Sequence, residues 1–297
     1  MRTVISVIVA LVASIVGTLL LWYGGGHTVD ALGGFDGFGP AGAGLSPLLA
    51  ALGCALLALA ALSVRWSRWG AIAAGALHLA FSLLAVTLPV APAEGIPSPT
   101  IRVLNALLDL DPALATGGYY FVAFGGGLLI GVALLGVGLT ARRTRPAGLA
   151  RALSAIGGVL ALFAAAWTFA TGGDVYRRTF QMLEADAALT ATFVGAALLF
   201  GAAIAPSGRS ASGTWIAGGA LALSGLILLA IDPVAYLGLP SEVVAVVPVL
   251  GWSGTILAVG ATLLGLALGI TLRPDAAPAG PDAASAPVDQ EGAADTV

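Results

Sequence analysis

Lysine is absent from this chain, whose 12 basic residues are all arginine. Cysteine is nearly absent: Cys54 stands alone inside an apolar run, which excludes an intramolecular disulfide and any zinc site of the CxxC kind. Charge of either sign is scarce. Charged residues make up 9 % of the 297 positions, whereas soluble domains carry about 25 %. With so little charge and a mean hydropathy of +1.01, the chain could not cover its apolar surface in water, so a water-soluble globular protein is excluded. No basic patch exists beyond short loops, so nucleic acid is not an expected partner. No cofactor or metal motif occurs, and none is expected.

What is there is long apolar runs, 42 glycines and 16 prolines. A helix rises 1.5 Å per residue, so about 20 apolar residues cross a hydrocarbon core of about 30 Å. The run from Val4 to Tyr23 is longer than the apolar core of a signal peptide, about 7–15 residues, and is expected to remain as a first span followed by a Gly-rich loop over 24–46. Further spans are expected at 45–64, 70–90, 119–140, 152–171, 187–205, 215–231 and 249–272. The fold class that follows is an all-α integral membrane protein of eight transmembrane helices. Two basic clusters close spans: Arg65 and Arg68 beside Trp66 and Trp69, and Arg142, Arg143, Arg145 and Arg151 after Thr140.

Arginines mark the cytoplasmic side. Alternating the eight spans places nine arginines on one side and three (Arg102, Arg177, Arg178) on the other, where ten carboxylates also lie. Both termini are therefore expected in the cytoplasm, with the protein in the plasma membrane. The segment 273–297 has four prolines and five acidic residues and is expected to be a disordered tail.

The two halves resemble one another. Gly75-Ala76-Leu77 recurs as Gly219-Ala220-Leu221, Pro89-Val90-Ala91 as Pro233-Val234-Ala235, and the ends Gly138-Leu139-Thr140 and Gly269-Ile270-Thr271 have the same shape. A tandem repeat of two four-helix units, 1–145 and 146–272, is expected. An even number of spans per unit makes the repeats parallel. Ala123, Gly127 and Gly131 form a small-residue ridge, as do Ala261, Gly265 and Gly269, of the kind that lets helices approach closely. They are expected to pack helices within the chain, with a homodimer as the second use.

Polar groups inside a membrane are costly and mark function by default. The sequence offers His78 in the third span and Asp232 at the outer end of the seventh. The commonest role for such a histidine is a hydrogen bond to a neighbouring helix, and for such an aspartate a cap. His27, outside the first span, lies too far in depth to pair with His78. Asp109 and Asp111, spaced i,i+2, are expected on a solvated face.

Two outer segments are amphipathic. In 174–186, Tyr176, Phe180 and Leu183 share one face while Arg177, Gln181 and Glu184 share another, with Asp174 and Arg178 spaced to pair. In 101–111, Ile101, Leu104 and Leu108 form a stripe. Such segments cap a bundle or dock a partner; the docking surface would be Tyr176, Arg177, Arg178, Phe180 and Glu184. The lipid bilayer is the expected surrounding partner, and the outer loops carry the charged and amphipathic segments beside a nearly charge-free core. The expected function is thus a non-enzymatic scaffold or accessory subunit of a cell-envelope complex, partnered by another membrane protein. A transporter or channel for a small apolar or lipidic solute is the alternative.

Overall fold

The computed structural model describes residues 2–33, 44–87, 99–141, 148–181, 186–230 and 241–273, and these are all-helical, with no strand among them. In chain order the helices are α1 (Arg2–Gly33), α2 (Ser46–Leu62), α3 (Arg68–Thr87), α4 (Pro99–Leu108), α5 (Pro112–Ala123), α6 (Gly126–Thr140), α7 (Gly148–Val175), α8 (Ala187–Ile204), α9 (Ser212–Ala230), α10 (Ser241–Trp252) and α11 (Thr255–Thr271). Six of them, α1, α2, α3, α7, α8 and α9, are long and apolar enough to cross a membrane alone. The pairs α5–α6 and α10–α11 are each long and apolar enough together but are bent, so the total is six, or up to eight if each bent pair is one span.

The expected fourth and eighth spans are thus not continuous. Their halves meet at 57° and 52°, at breaks marked by Gly125 (φ 80°) and Gly254 (φ 71°). The left-handed conformation ends one helix and starts the next, and glycine adopts it without a Cβ penalty. Each break satisfies its own backbone: Phe124 N–H donates to the Tyr120 carbonyl and Gly125 N–H to Val122, while Ser253 N–H donates to Val249 and Gly254 N–H to Gly251. That matters in lipid, where water cannot complete the bonds.

These two bent spans form the interior. α6 and α11 are buried along almost their whole length, as expected for helices apolar all round. The six straight spans are only 33–44 % buried and surround them, showing side chains such as Phe163 and Leu198 to the outside. α6 packs between α3 and α8, and α11 between α9 and α2. The two breaks meet at the centre, where Gly126 lies against the Thr255 methyl.

α1 also departs from expectation. It runs through Gly24-Gly25-Gly26 to Gly33 rather than ending at Tyr23. Read as a loop signal, the triplet is a packing surface: Gly24 meets the backbone of Ala50, Gly25 that of Ser253 and Gly26 that of Ala113. The ridge glycines do the same. Gly131 lies against the Leu79 backbone, Gly127 against Ser82, Gly269 against Val64, and a methyl added at Gly265 would be 2.2 Å from the Ala58 carbonyl oxygen. Farther along, α7 extends to Val175 and a π-helical turn carries it to Gln181.

Replacing Gly125 or Gly254 by Ala is expected to destabilise the protein by about 1–2 kcal/mol from the left-handed backbone alone. At Gly125 a clash with Thr168 adds to this. Gly195→Ala, a helical position with open space around it, is expected to be neutral or slightly stabilising. Thermal unfolding in detergent distinguishes the three.

Candidate functional site

Helical spacing puts Ser14, Thr18 and Trp22, four residues apart, in a row on one face of α1. That row faces α3 and α5. Ser14 Oγ lies 2.7 Å from His78 Nε2, and both are buried. With the imidazole proton on Nδ1, Ser14 donates; with it on Nε2, Ser14 accepts. Phe81 and Phe121 complete the wall, their ring centroids 5.7 and 6.1 Å from that of Trp22. The groups enclose a cavity of about 140 Å³.

Two polar atoms in this row have no hydrogen-bond partner: Thr18 Oγ1 and Trp22 Nε1. Trp22 is 5 % exposed and Thr18 8 % exposed, so bulk solvent does not satisfy them. A buried polar group left unpaired costs about 1–3 kcal/mol. Thr18 is also unusual among the buried helical threonines. Thr28, Thr168 and Thr262 each donate to the carbonyl four residues back, the ordinary way to hide a hydroxyl in a membrane helix. Thr18 does not.

The mouth of the cavity is lined by Ile15, Leu19 and Leu77, which are 48, 40 and 40 % exposed. It opens sideways, between α1 and α3, where the acyl chains of a bilayer would lie. Its lining is mainly aromatic and aliphatic, with Ser14, Thr18 and His78 among the lining residues, as is usual for a small-molecule site. Comparison with family models, with curated proteins and with solved structures finds no match. The chemistry has to be read from these side chains alone.

Other candidate residues fall elsewhere. Asp232 and Glu184 lie outside the described residues. Tyr176 stacks on Phe124 with centroids 6.2 Å apart and Phe180 meets Tyr119 edge-on at 5.7 Å, so both turn onto α5 and the break after it. Arg177 donates to Asp174 and Arg178 to Asp186, each at 2.7 Å; the expected pairing of Asp174 with Arg178 is replaced by an i,i+3 pair and by a contact with the N-cap of α8. Within α4, Ile101 and Leu104 are buried and Leu108 is exposed. Cys54 is buried, its sulfur 4.0 Å from the Gly254 carbonyl oxygen at the second break.

One polar pair escaped the sequence. His27 lies within α1, and its Nε2 is 3.1 Å from Asp111 Oδ2. The Asp111 Oδ1 accepts from the Leu114 N–H at 3.0 Å and so caps α5, with Pro112 at the first helical position. Asp111 is therefore no simple solvated carboxylate. The spacing Asp-Pro before an apolar run was a legible cap signal; its histidine partner, 84 positions away, was not.

The Leu114 N–H, and after it the His27 ring, hold the Asp111 carboxyl below its ordinary value of 3.8. A lowered folded pKa means that this stabilisation is complete above pH 3.8 and is lost as pH falls through the lower folded value. Asp111→Ala is expected to cost about 1 kcal/mol through the cap, and Asp111→Asn, which still caps, clearly less. Unfolding midpoints at neutral pH separate them, and the Asp111→Ala deficit is expected to shrink in acid.

Proposed function

We propose that the protein is an internally duplicated, eight-span plasma-membrane protein that binds a small lipidic molecule carrying a carbonyl acceptor, and acts as its carrier. Both termini lie in the cytoplasm in this reading. The observation that carries it is the lateral, mainly apolar cavity walled in part by Trp22 and Thr18, whose indole N–H and hydroxyl lie buried beside it without a hydrogen-bond partner. An indole N–H only donates, so its complement is an acceptor. The lipid-side mouth selects a molecule that arrives through the bilayer, and a quinone ring or an ester-bearing lipid has the required chemistry.

Duplication is supported by matching contacts. Gly75 meets Gly131 and Leu134, and Gly218 meets Gly260 and Leu263. Gly136 meets the Gly201 carbonyl, and Gly265 meets that of Ala58. A displacement of 143 for α2 and α3 and of 129 for α6 relates every member of these sets. The sequence register of 144 differs by one residue. At the turns, Ser6 and Ser63 beside Gly70 correspond to Ser154 and Ser207 beside Gly213. Gly126 and Thr255, the equivalent residues after each break, touch, as residues on a two-fold pseudo-axis would.

This comparison also separates scaffold from function. The serine clusters occur in both halves, so packing explains them. The polar row does not: displacing α1 by 148, as Ser6 onto Ser154 requires, puts Leu162, Ala166 and Ala170 where Ser14, Thr18 and Trp22 stand. His78 likewise faces Leu221 or Ala222 as its counterpart in either register. A polar row placed in only one of two equivalent halves serves something other than the shared architecture. Broken spans near the midplane, common in transporters, fit a carrier, with the bent pairs as its movable parts.

The second reading is an accessory subunit whose partner docks on the outer surface. It is favoured by Val103, Leu108 and Leu110 in and after α4, which are 48, 48 and 79 % exposed. Stoichiometric co-purification of one protein from native membranes, lost in Leu108→Asn, would select it.

For the carrier, the test is binding in nanodiscs of a short-chain alkyl benzoquinone, a diacylglycerol, and an alkyl dimethoxybenzene with no carbonyl. The first or second is expected to bind and the third to bind weakly. Each lost hydrogen bond is worth about 1 kcal/mol, so Thr18→Val with Trp22→Phe is expected to weaken binding roughly thirtyfold. Equal affinity for all three probes, or none affected by the double substitution, would sink the proposal.

A further inference from the structure

A second cavity, of about 390 Å³, lies at the opposite chemical extreme. It sits at the turn joining α2 to α3, against the start of α1 and the ends of α6 and α11. Three arginines, Arg65, Arg68 and Arg273, are among the residues that line it, and no acidic residue is among the described residues that do. Its volume falls at the lower end of the range for ligand sites, about 300–1,000 Å³.

Its parts are held in place. Arg273 donates from Nε and Nη2 to the Val64 carbonyl at 3.0 and 2.7 Å, which fixes the plane of its guanidinium and ties the end of α11 to the turn. The Arg68 guanidinium lies 5.4 Å from the Trp69 ring centroid. Trp66 and Trp69 are 42 and 50 % exposed, at the junction of two spans, where indoles settle at head-group depth.

We propose that this cavity holds the phosphate of an anionic phospholipid. Guanidinium groups match phosphate oxygens in charge and in geometry, and basic pockets between spans are a recurrent form of head-group recognition. The indoles and the apolar Val64 and Ala141 at the lining supply the surface on which the glycerol and upper acyl chains lie. A free inorganic phosphate would use only the arginines. The proposal does not depend on the carrier reading, because the site shares no residue with the Ser14–His78 cavity. It also has an internal control: the corresponding cavity of the second half, beside Pro206 and Leu153, is lined by a single described arginine, Arg209.

The full-length detergent-solubilised protein is titrated with phosphatidylglycerol, with phosphatidylcholine and with inorganic phosphate, and bound species are counted by native mass spectrometry. Phosphatidylglycerol is expected to remain bound at concentrations where phosphatidylcholine does not. Arg65→Gln with Arg68→Gln is expected to lower its occupancy roughly tenfold or more, and Arg209→Gln to leave it unchanged. If the double variant is not monodisperse, Arg68→Gln alone carries the same expectation at about threefold. Equal retention of both lipids, or undiminished binding in the Arg65 and Arg68 variants, overturns the proposal. So does full displacement of the lipid by millimolar inorganic phosphate, which would assign the cavity to the free ion.

Discussion

Inside a bilayer, two helices gain nothing by exchanging lipid tails for each other's leucines, because both media are equally apolar. Association must come from contact close enough to add dispersion energy and a few hydrogen bonds, and this chain depends on that constraint throughout. Glycine removes the side chain that would hold backbones apart. Gly131 against Leu79, Gly260 against Ala222 and Gly265 against Ala58 each place one helix backbone on another. Serine adds the second element at the turns, where Ser154 reaches both Ser207 and the Ser210 carbonyl. The largely buried α6 and α11 are possible only because their neighbours can approach closely.

The sequence disclosed the spans well because hydropathy is a local property. The all-helical architecture and the six to eight helices apolar enough to cross a membrane are what counting apolar residues leads one to expect. The breaks at Gly125 and Gly254 were hidden because each lies in an uncharged run that contains other glycines. In Phe124-Gly125-Gly126-Gly127, no local signal distinguishes the residue with positive φ from those that merely permit close approach. The same ambiguity made Gly24-Gly25-Gly26 look like a loop.

The candidate site was legible only in part. His78 stood out because it is the one histidine inside a span expected from the sequence, but its partner Ser14 is 64 positions away, and serine is unremarkable in a membrane helix. Thr18 and Trp22 gave no signal at all, since threonine usually turns its hydroxyl back on its own helix and tryptophan near a span end reads as an interfacial anchor. Only the three-dimensional environment shows that neither does so here. The outer aromatic residues were ambiguous for the opposite reason: a face of Tyr176 and Phe180 fits either a partner or the chain itself, and only the position of α5 decides what those rings touch.

α1 has 32 residues, about 48 Å at 1.5 Å each, while a hydrocarbon core is about 30 Å thick. A rod so much longer than its solvent layer has to tilt or protrude, and the choice varies with the thickness of the surrounding bilayer. Ser14, Thr18 and Trp22 are fixed along that rod, and His27 lies farther along it, tied to Asp111. The depth at which acyl chains meet the mouth of the cavity is therefore set jointly by the protein and by the lipids around it. A thicker or thinner membrane would present the same row of side chains to a different layer of lipid.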